Sequence, residues 1–114
     1  MNVPVNPFGN LDWVKQVSQG PPAQLEIGGW AIDPNTSAAI DVHVYVNGMG
    51  AAIFTANASR PDVGAAYPGY NGTDNGFTRV ISVGYGSNTV CAYGINVGPG
   101  ANALLGCKTI NVNQ

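Results

Sequence analysis

The chain has 114 residues, of which only 9% are charged, and six acidic and four basic residues give a formal net charge of −2. This length suits one domain with one hydrophobic core. A charge this low and balanced offers no basic patch for nucleic acid or for an anionic membrane. We expect neither a nucleic-acid partner nor membrane insertion, and the Asn-, Ser-, Thr- and Gln-based surface is typical of extracellular β-proteins and virion shells.

The first ten residues, MNVPVNPFGN, contain two prolines, a glycine and three asparagines, which disfavour regular structure. We therefore divide the chain into a docking arm (1–10) and a folded domain (11–114). The arm's apolar side chains are its candidate contacts with a partner: Val3, Val5, Pro7 and Phe8. No basic segment followed by an apolar run marks a signal peptide. The domain is expected either to derive from a longer secreted protein or to leave the cell by another path, as a phage particle does.

The first two predicted strands are 11–17 and 24–32, separated by a turn at Gly20 to Pro22. Apolar and polar residues alternate from Gln24 to Ile27, and the apolar parity then shifts across Gly28 and Gly29. This shift predicts a β-bulge in the second strand that turns Trp30 into the core.

Residues 40–46 form the clearest strand, with Val42 and Val44 on one face and His43 on the other. Asn47 and Gly48 are the dipeptide preferred in tight hairpins, so the strand 51–56 should pair antiparallel with it. A short helix is predicted to follow, with Ser59 as its N-cap and Pro61 near its start.

Three further strands are predicted at 77–83, 89–97 and 104–112. About seven short strands with no long helix indicate an all-β protein, an immunoglobulin-like antiparallel β-sandwich. A small barrel is the alternative architecture.

Two cysteines, Cys91 and Cys107, lie in consecutive predicted strands, sixteen positions apart. A cross-strand disulfide between them would stabilise the fold by about 3 kcal/mol. The alternative is a pair of buried free thiols.

We find no pattern typical of a catalytic or cofactor site. His43, the only histidine, sits on the polar face of a strand, and no nucleophile motif accompanies it. Asp33 is assigned to a turn and Asp62 to the helix start, although loops that contain Asp33 or Asp74 could also supply calcium ligands. We predict no enzyme activity, no catalytic residues, no metal and no cofactor.

The remaining candidates are aromatic. Tyr67 and Tyr70, separated by Pro68 and Gly69, could form a platform for a sugar ring. Alternatively, both rings fold back and cap an open end of the sandwich. Trp13 and Tyr45 are expected at the surface or at an interface.

Four segments resemble a β-sandwich accessory domain of secreted and surface proteins of actinobacteria and their phages. They are GGWAIDP (28–34), VHVYVNG (42–48), ANASRPDVGAAYPGY (56–70) and TVCAYGINVGPGANALLGCKT (89–109). The resemblance implies a surface-displayed module and brings no activity with it. The loop 71–76, NGTDNG, departs from the family pattern, as does the stand-alone format.

These observations favour a non-catalytic structural protein at the virion surface, a capsid decoration or tail-associated subunit. It would dock on shell or tail subunits, with weak adhesion to host surfaces. The alternative is an extracellular accessory domain that binds cell-wall glycan, and either form could assemble as a homo-oligomer.

Overall fold

The computed structural model describes residues 6–68 and 74–114. Val3, Val5 and Tyr70, which we singled out as contact residues, lie outside the described residues. The described chain forms two four-stranded antiparallel sheets, which confirms the all-β sandwich. A very short additional strand makes the number of strands eight.

The elements in chain order are β1 (Phe8–Ser18), β2 (Ala23–Ile32), β3 (Asp41–Val46), β4 (Met49–Thr55), β5 (Ala58–Ser59), α1 (Pro61–Ala66), β6 (Asp74–Val83), β7 (Gly86–Gly94) and β8 (Ala103–Val112). The first sheet has the strand order β1-β2-β6-β5, and the second has the order β4-β3-β7-β8.

The core lies between the sheets and follows the alternation in the sequence. Leu25 and Ile27 from β2 meet Val42 and Val44 from β3, and all four are almost completely buried. Burying a side chain of this size contributes about 1.5–3 kcal/mol. The alternation therefore determines which face of each sheet turns inward.

The described part of the predicted arm is packed against the domain. Phe8 begins β1 and pairs with Ile32, while Pro7 is buried. The side-chain oxygen of Asn6 accepts a hydrogen bond from the backbone N–H of Ala101 at 2.9 Å. Residues 6–10 are thus held by this chain's own residues.

The predicted bulge in β2 is wrong. β2 pairs with β6 without interruption, and the irregularity lies in β1, between Leu11 and Trp13, opposite Gly28 and Gly29. A methyl group at Gly28 would overlap the indole of Trp13, so the glycine provides the space that this ring occupies.

Because β2 keeps its parity, Ala31 continues the buried row and Trp30 does not. Trp30 is only half-buried, and its ring contacts Phe8 at a centroid distance of 5.9 Å. The prediction that Trp30 lies in the core is therefore also wrong. It belongs to an aromatic group outside the core.

The hairpin at Asn47 and Gly48 is confirmed, with φ angles of 53° and 82°. Positive φ at both positions gives the twist that a two-residue hairpin needs. The N-cap position of the helix, in contrast, is Arg60 rather than Ser59, and no side-chain hydrogen bond caps the helix. Ser59 is unavailable as a cap because it belongs to β5, which pairs with β6.

Candidate functional site

One lateral side of the sandwich is closed. There the side-chain nitrogen of Gln16 in β1 donates to the backbone oxygen of Asn113 at 2.7 Å, and its side-chain oxygen accepts from the N–H of Asn113 at 2.9 Å. Close to this contact, a methyl group at Gly106 would lie only 3.4 Å from Cβ of Leu11. β1 and β8 therefore protect each other's edges.

The opposite side, which we call the open side, consists of β4 and residues 77–83 of β6. β4 is the outermost strand of its sheet. β5 pairs with β6 only as far as Gly76, so within the described chain residues 77–83 are paired only with β2. Two strand edges thus present unpaired backbone groups next to each other.

A groove of about 440 Å³ runs between these two edges. Ile53 from β4 and Val80 from β6 are 71% and 51% exposed, which is high for large apolar residues. The guanidinium of Arg79 lies 5.0 Å from the ring centroid of Phe54 and covers part of the groove. The open side therefore combines free edges with exposed apolar side chains.

A second feature is the outer face of the second sheet. His43 pairs with Tyr93 across β3 and β7, and Tyr45 pairs with Cys91. The rings of Tyr45 and Tyr93 are perpendicular, with centroids 5.6 Å apart. They line a groove of about 480 Å³ together with His43, Ile95 and Asn102.

The sequence alone predicts no role for Tyr93 and places Tyr45 only at the surface or at an interface. Tyr45 lies two residues from His43, and Tyr93 two residues from Cys91, so each pair shares a strand face. This spacing predicts the strand face on which each tyrosine lies. The distance between Tyr45 and Tyr93 depends instead on how β3 pairs with β7.

The predicted disulfide is confirmed: Cys91 and Cys107 are bonded to each other, and their Cα atoms lie 4.1 Å apart. They are directly opposed in the pairing of β7 with β8. The bond lies on the same outer face as Tyr45 and links β7, whose Cys91 lines the groove, to β8.

Tyr67 and Phe8, to which we gave separate roles, contact each other. Their ring centroids are 5.0 Å apart, and the Tyr67 ring also lies 5.2 Å from that of Trp30. Tyr67 is 37% exposed. Its ring is thus largely engaged with its own chain, as in the capping alternative.

Arg60 connects α1 to the first sheet. It donates two hydrogen bonds to Asp62, both at 2.9 Å, and one to Asp12 at 2.7 Å. The hydrogen bonds from Arg60 lower the pKa of Asp62 to about 2, and the hydrogen bond to Asp62, followed by Asp12, raises the pKa of Arg60. This network fixes the start of α1 against β1.

Asp33 has the turn role that we assigned to it. One carboxylate oxygen accepts from the N–H of Asn35 at 2.9 Å, and the other accepts from the N–H of Val97 at 2.6 Å. The buried carboxylate thereby joins two loops at one end of the sandwich. Across residues 6–68 and 74–114, no group of three or more His, Cys, Asp or Glu side chains is arranged to hold a metal ion.

His43 lies on the outer face of β3, as predicted, and is half-buried. The described stretches include no helix with the length and apolar character required to cross a membrane. Comparison with known protein families, curated proteins and solved structures found no match.

Proposed function

We propose that this domain is a non-catalytic structural module on the surface of a phage virion, a capsid decoration or tail-associated protein. It docks on neighbouring shell subunits through its open side. The observation that carries the proposal is the pair of adjacent free strand edges, β4 and residues 77–83, beside exposed Ile53 and Val80. Exposed strand edges are the parts of a β-protein that other chains pair with.

The mechanism is strand addition. A shell-subunit segment aligns with one edge and forms backbone hydrogen bonds, while Ile53 and Val80 leave water. Burial of each side chain contributes up to about 1.5–3 kcal/mol. β4 carries no charged residue that would oppose such pairing, because its sequence is MGAAIFT.

The arm has a smaller role in this mechanism than the sequence predicts for residues 1–10. Pro7 is buried in the domain, and Phe8 contacts Trp30 and Tyr67. Of the predicted docking residues, Val3 and Val5 are left to contact a partner. Many copies on one particle would make weak individual contacts collectively strong.

The test compares two valines in strands. Val80→Lys places a charge on the open side, where the valine is 51% exposed, and Val17→Lys makes the same change at a 47% exposed position in β1. We expect Val80→Lys to abolish sedimentation of the purified domain with phage particles assembled without it. Val17→Lys and deletion of residues 1–5 should leave particle binding measurable.

The proposal fails if the unmodified domain does not sediment with the particles, or if Val17→Lys and Val80→Lys weaken binding equally. Binding to actinobacterial cell walls with no binding to particles would support the accessory cell-wall module instead. The mass of the free domain in solution reports whether a second copy occupies the open side.

A further inference from the structure

We propose that the groove beside Tyr45 and Tyr93 binds a neutral saccharide of the hexopyranose class. This site lies on the outer face of the second sheet and uses different residues from the open side. The inference therefore does not depend on docking to a shell.

The shape of the aromatic surface suits a sugar ring. The Tyr45 and Tyr93 rings meet at 90° with centroids 5.6 Å apart, so they form a corner rather than a flat stack. Both residues are half-buried, which fixes the rings while leaving part of each accessible. A pyranose has an apolar face of C–H groups that packs against an aromatic ring.

Several polar side-chain groups in this groove have no hydrogen-bond partner within residues 6–68 and 74–114. The hydroxyls of Tyr45 and Tyr93 and the imidazole of His43 form no hydrogen bond with any residue in 6–68 or 74–114. Asn102 uses its side-chain oxygen to accept from the N–H of Asn96 at 2.8 Å, which holds the amide in place and leaves its NH₂ group unpaired within the same ranges. All four groups line one groove.

These groups match the chemistry of sugar hydroxyls. A hydroxyl both donates and accepts, as do the tyrosine hydroxyls and a neutral imidazole, while an amide NH₂ donates. The groove's described lining contains no Asp, Glu, Lys or Arg. Since no lining side chain carries a carboxylate, ammonium or guanidinium group, the groove is complementary to an uncharged ligand.

The strands that carry the groove are held rigidly. The Cys91–Cys107 disulfide joins β7 to β8 at the groove, and His43 is paired with Tyr93 across β3 and β7. A site fixed before the ligand arrives loses less conformational entropy on binding. Tyr67 offers a poorer platform because its ring already contacts Phe8 and Trp30.

The experiment is an NMR titration of the full 114-residue chain with cellotetraose, chitotetraose and mannotetraose, and with tetragalacturonate as the acidic probe. We expect at least one neutral tetrasaccharide to shift the backbone signals of His43, Tyr45, Tyr93 and Asn102. Tyr45→Ala and Tyr93→Ala should each weaken its binding about tenfold or more, because each removes a stacking surface. Tetragalacturonate should bind more weakly.

The matched control is Tyr85→Ala. Tyr85 is also an exposed tyrosine, at 42%, but its hydroxyl donates to the backbone oxygen of Gln19 away from the groove. This variant should bind like the unmodified chain. Asn102→Asp keeps the side-chain oxygen that accepts from Asn96 and replaces the free NH₂ group, so it should weaken binding of the neutral sugar. This variant tests the site even if Tyr45→Ala or Tyr93→Ala fails to fold.

The inference is overturned if no neutral tetrasaccharide shifts the groove signals, or if tetragalacturonate binds more tightly than all of them. It is also overturned if binding persists at full strength in the folded Asn102→Asp, Tyr45→Ala and Tyr93→Ala variants. Loss of binding in Tyr67→Ala with retention in Tyr93→Ala would move the site to the first sheet and refute the assignment.

Discussion

Gln16 and Asn113 are joined by two reciprocal hydrogen bonds, in which one side-chain amide both donates to and accepts from the backbone of a residue 97 positions away. This contact ties β1 to the chain just beyond β8 on the closed side. It joins a strand of the first sheet to the chain segment that follows the second sheet, so it resists separation of the sandwich layers.

Gln16→Ala should lower the free energy of unfolding by about 1–2 kcal/mol, because each lost hydrogen bond is worth roughly 0.5–1.5 kcal/mol. The amide hydrogen of Asn113 should also exchange with solvent faster. Chemical denaturation and hydrogen exchange measure these effects, with exposed Gln19→Ala as the control. An unchanged exchange rate at Asn113 would contradict the role assigned to Gln16.

Gly28 is predicted to be intolerant of a methyl group, which would overlap the Trp13 indole. Gly28→Ala should cost about 1–3 kcal/mol of stability by overpacking. It should also disturb the 3.0 Å hydrogen bond from the indole of Trp13 to Glu26. Thermal unfolding and tryptophan fluorescence provide the measurements.

The matched control for this prediction is Gly84→Ala, because a methyl group there meets nothing within 4 Å. Combining Trp13→Ala with Gly28→Ala should cost less than the sum of the two single changes, since the clash needs both residues. Additive costs would show that the ring does not set the limit at Gly28.

The sequence predicted the elements that depend on local pattern. Alternation around Val42 and Val44 identified β3, and the dipeptide Asn47-Gly48 identified its hairpin. Local alternation could not predict the sheet face on which the Trp30 side chain lies. That face depends on the irregularity in β1 and on the space above Gly28.

The candidate sites were harder to predict than the fold because they depend on pairing between distant strands. The corner of Tyr45 and Tyr93 requires the register of β3 against β7. The open side requires β5 to begin only at Ala58, opposite Gly76, so that residues 77–83 are left with one paired edge in the described chain. Neither register nor strand length is encoded in a short sequence motif.

Loss of the disulfide should destabilise the domain without changing its fold. Replacing Cys91 and Cys107 together with Ser removes a link that closes a loop of 16 positions. We expect a loss of about 3 kcal/mol and a fall in the unfolding temperature of about 10 °C. Differential scanning calorimetry measures both quantities.

Reductant provides the control for the disulfide prediction. Dithiothreitol should lower the unfolding temperature of the unmodified chain to a similar degree and leave that of the double Ser variant unchanged. An unmodified chain whose unfolding temperature is the same with and without reductant would contradict a stabilising role for the bond.

The ion pair between Arg60 and Asp62 should make stability depend on pH in the acidic range. Hydrogen bonds from Arg60 lower the pKa of Asp62 from 3.8 to about 2 in the folded protein. A carboxylate with a lowered folded-state pKa stabilises the fold above its unfolded pKa, and this contribution disappears as the pH falls through the folded value. The unmodified chain should therefore be more stable than Asp62→Asn near neutral pH, and the difference should shrink between about pH 4 and pH 2.

Thermal unfolding of both chains across this range measures the difference in stability. The Arg60→Gln substitution should return the pKa of Asp62 to the ordinary range near 4, which NMR titration of the Asp62 carboxyl measures. A stability difference that stays constant from pH 2 to pH 6, or an unchanged Asp62 midpoint in Arg60→Gln, would show that Arg60 does not set the ionisation of Asp62.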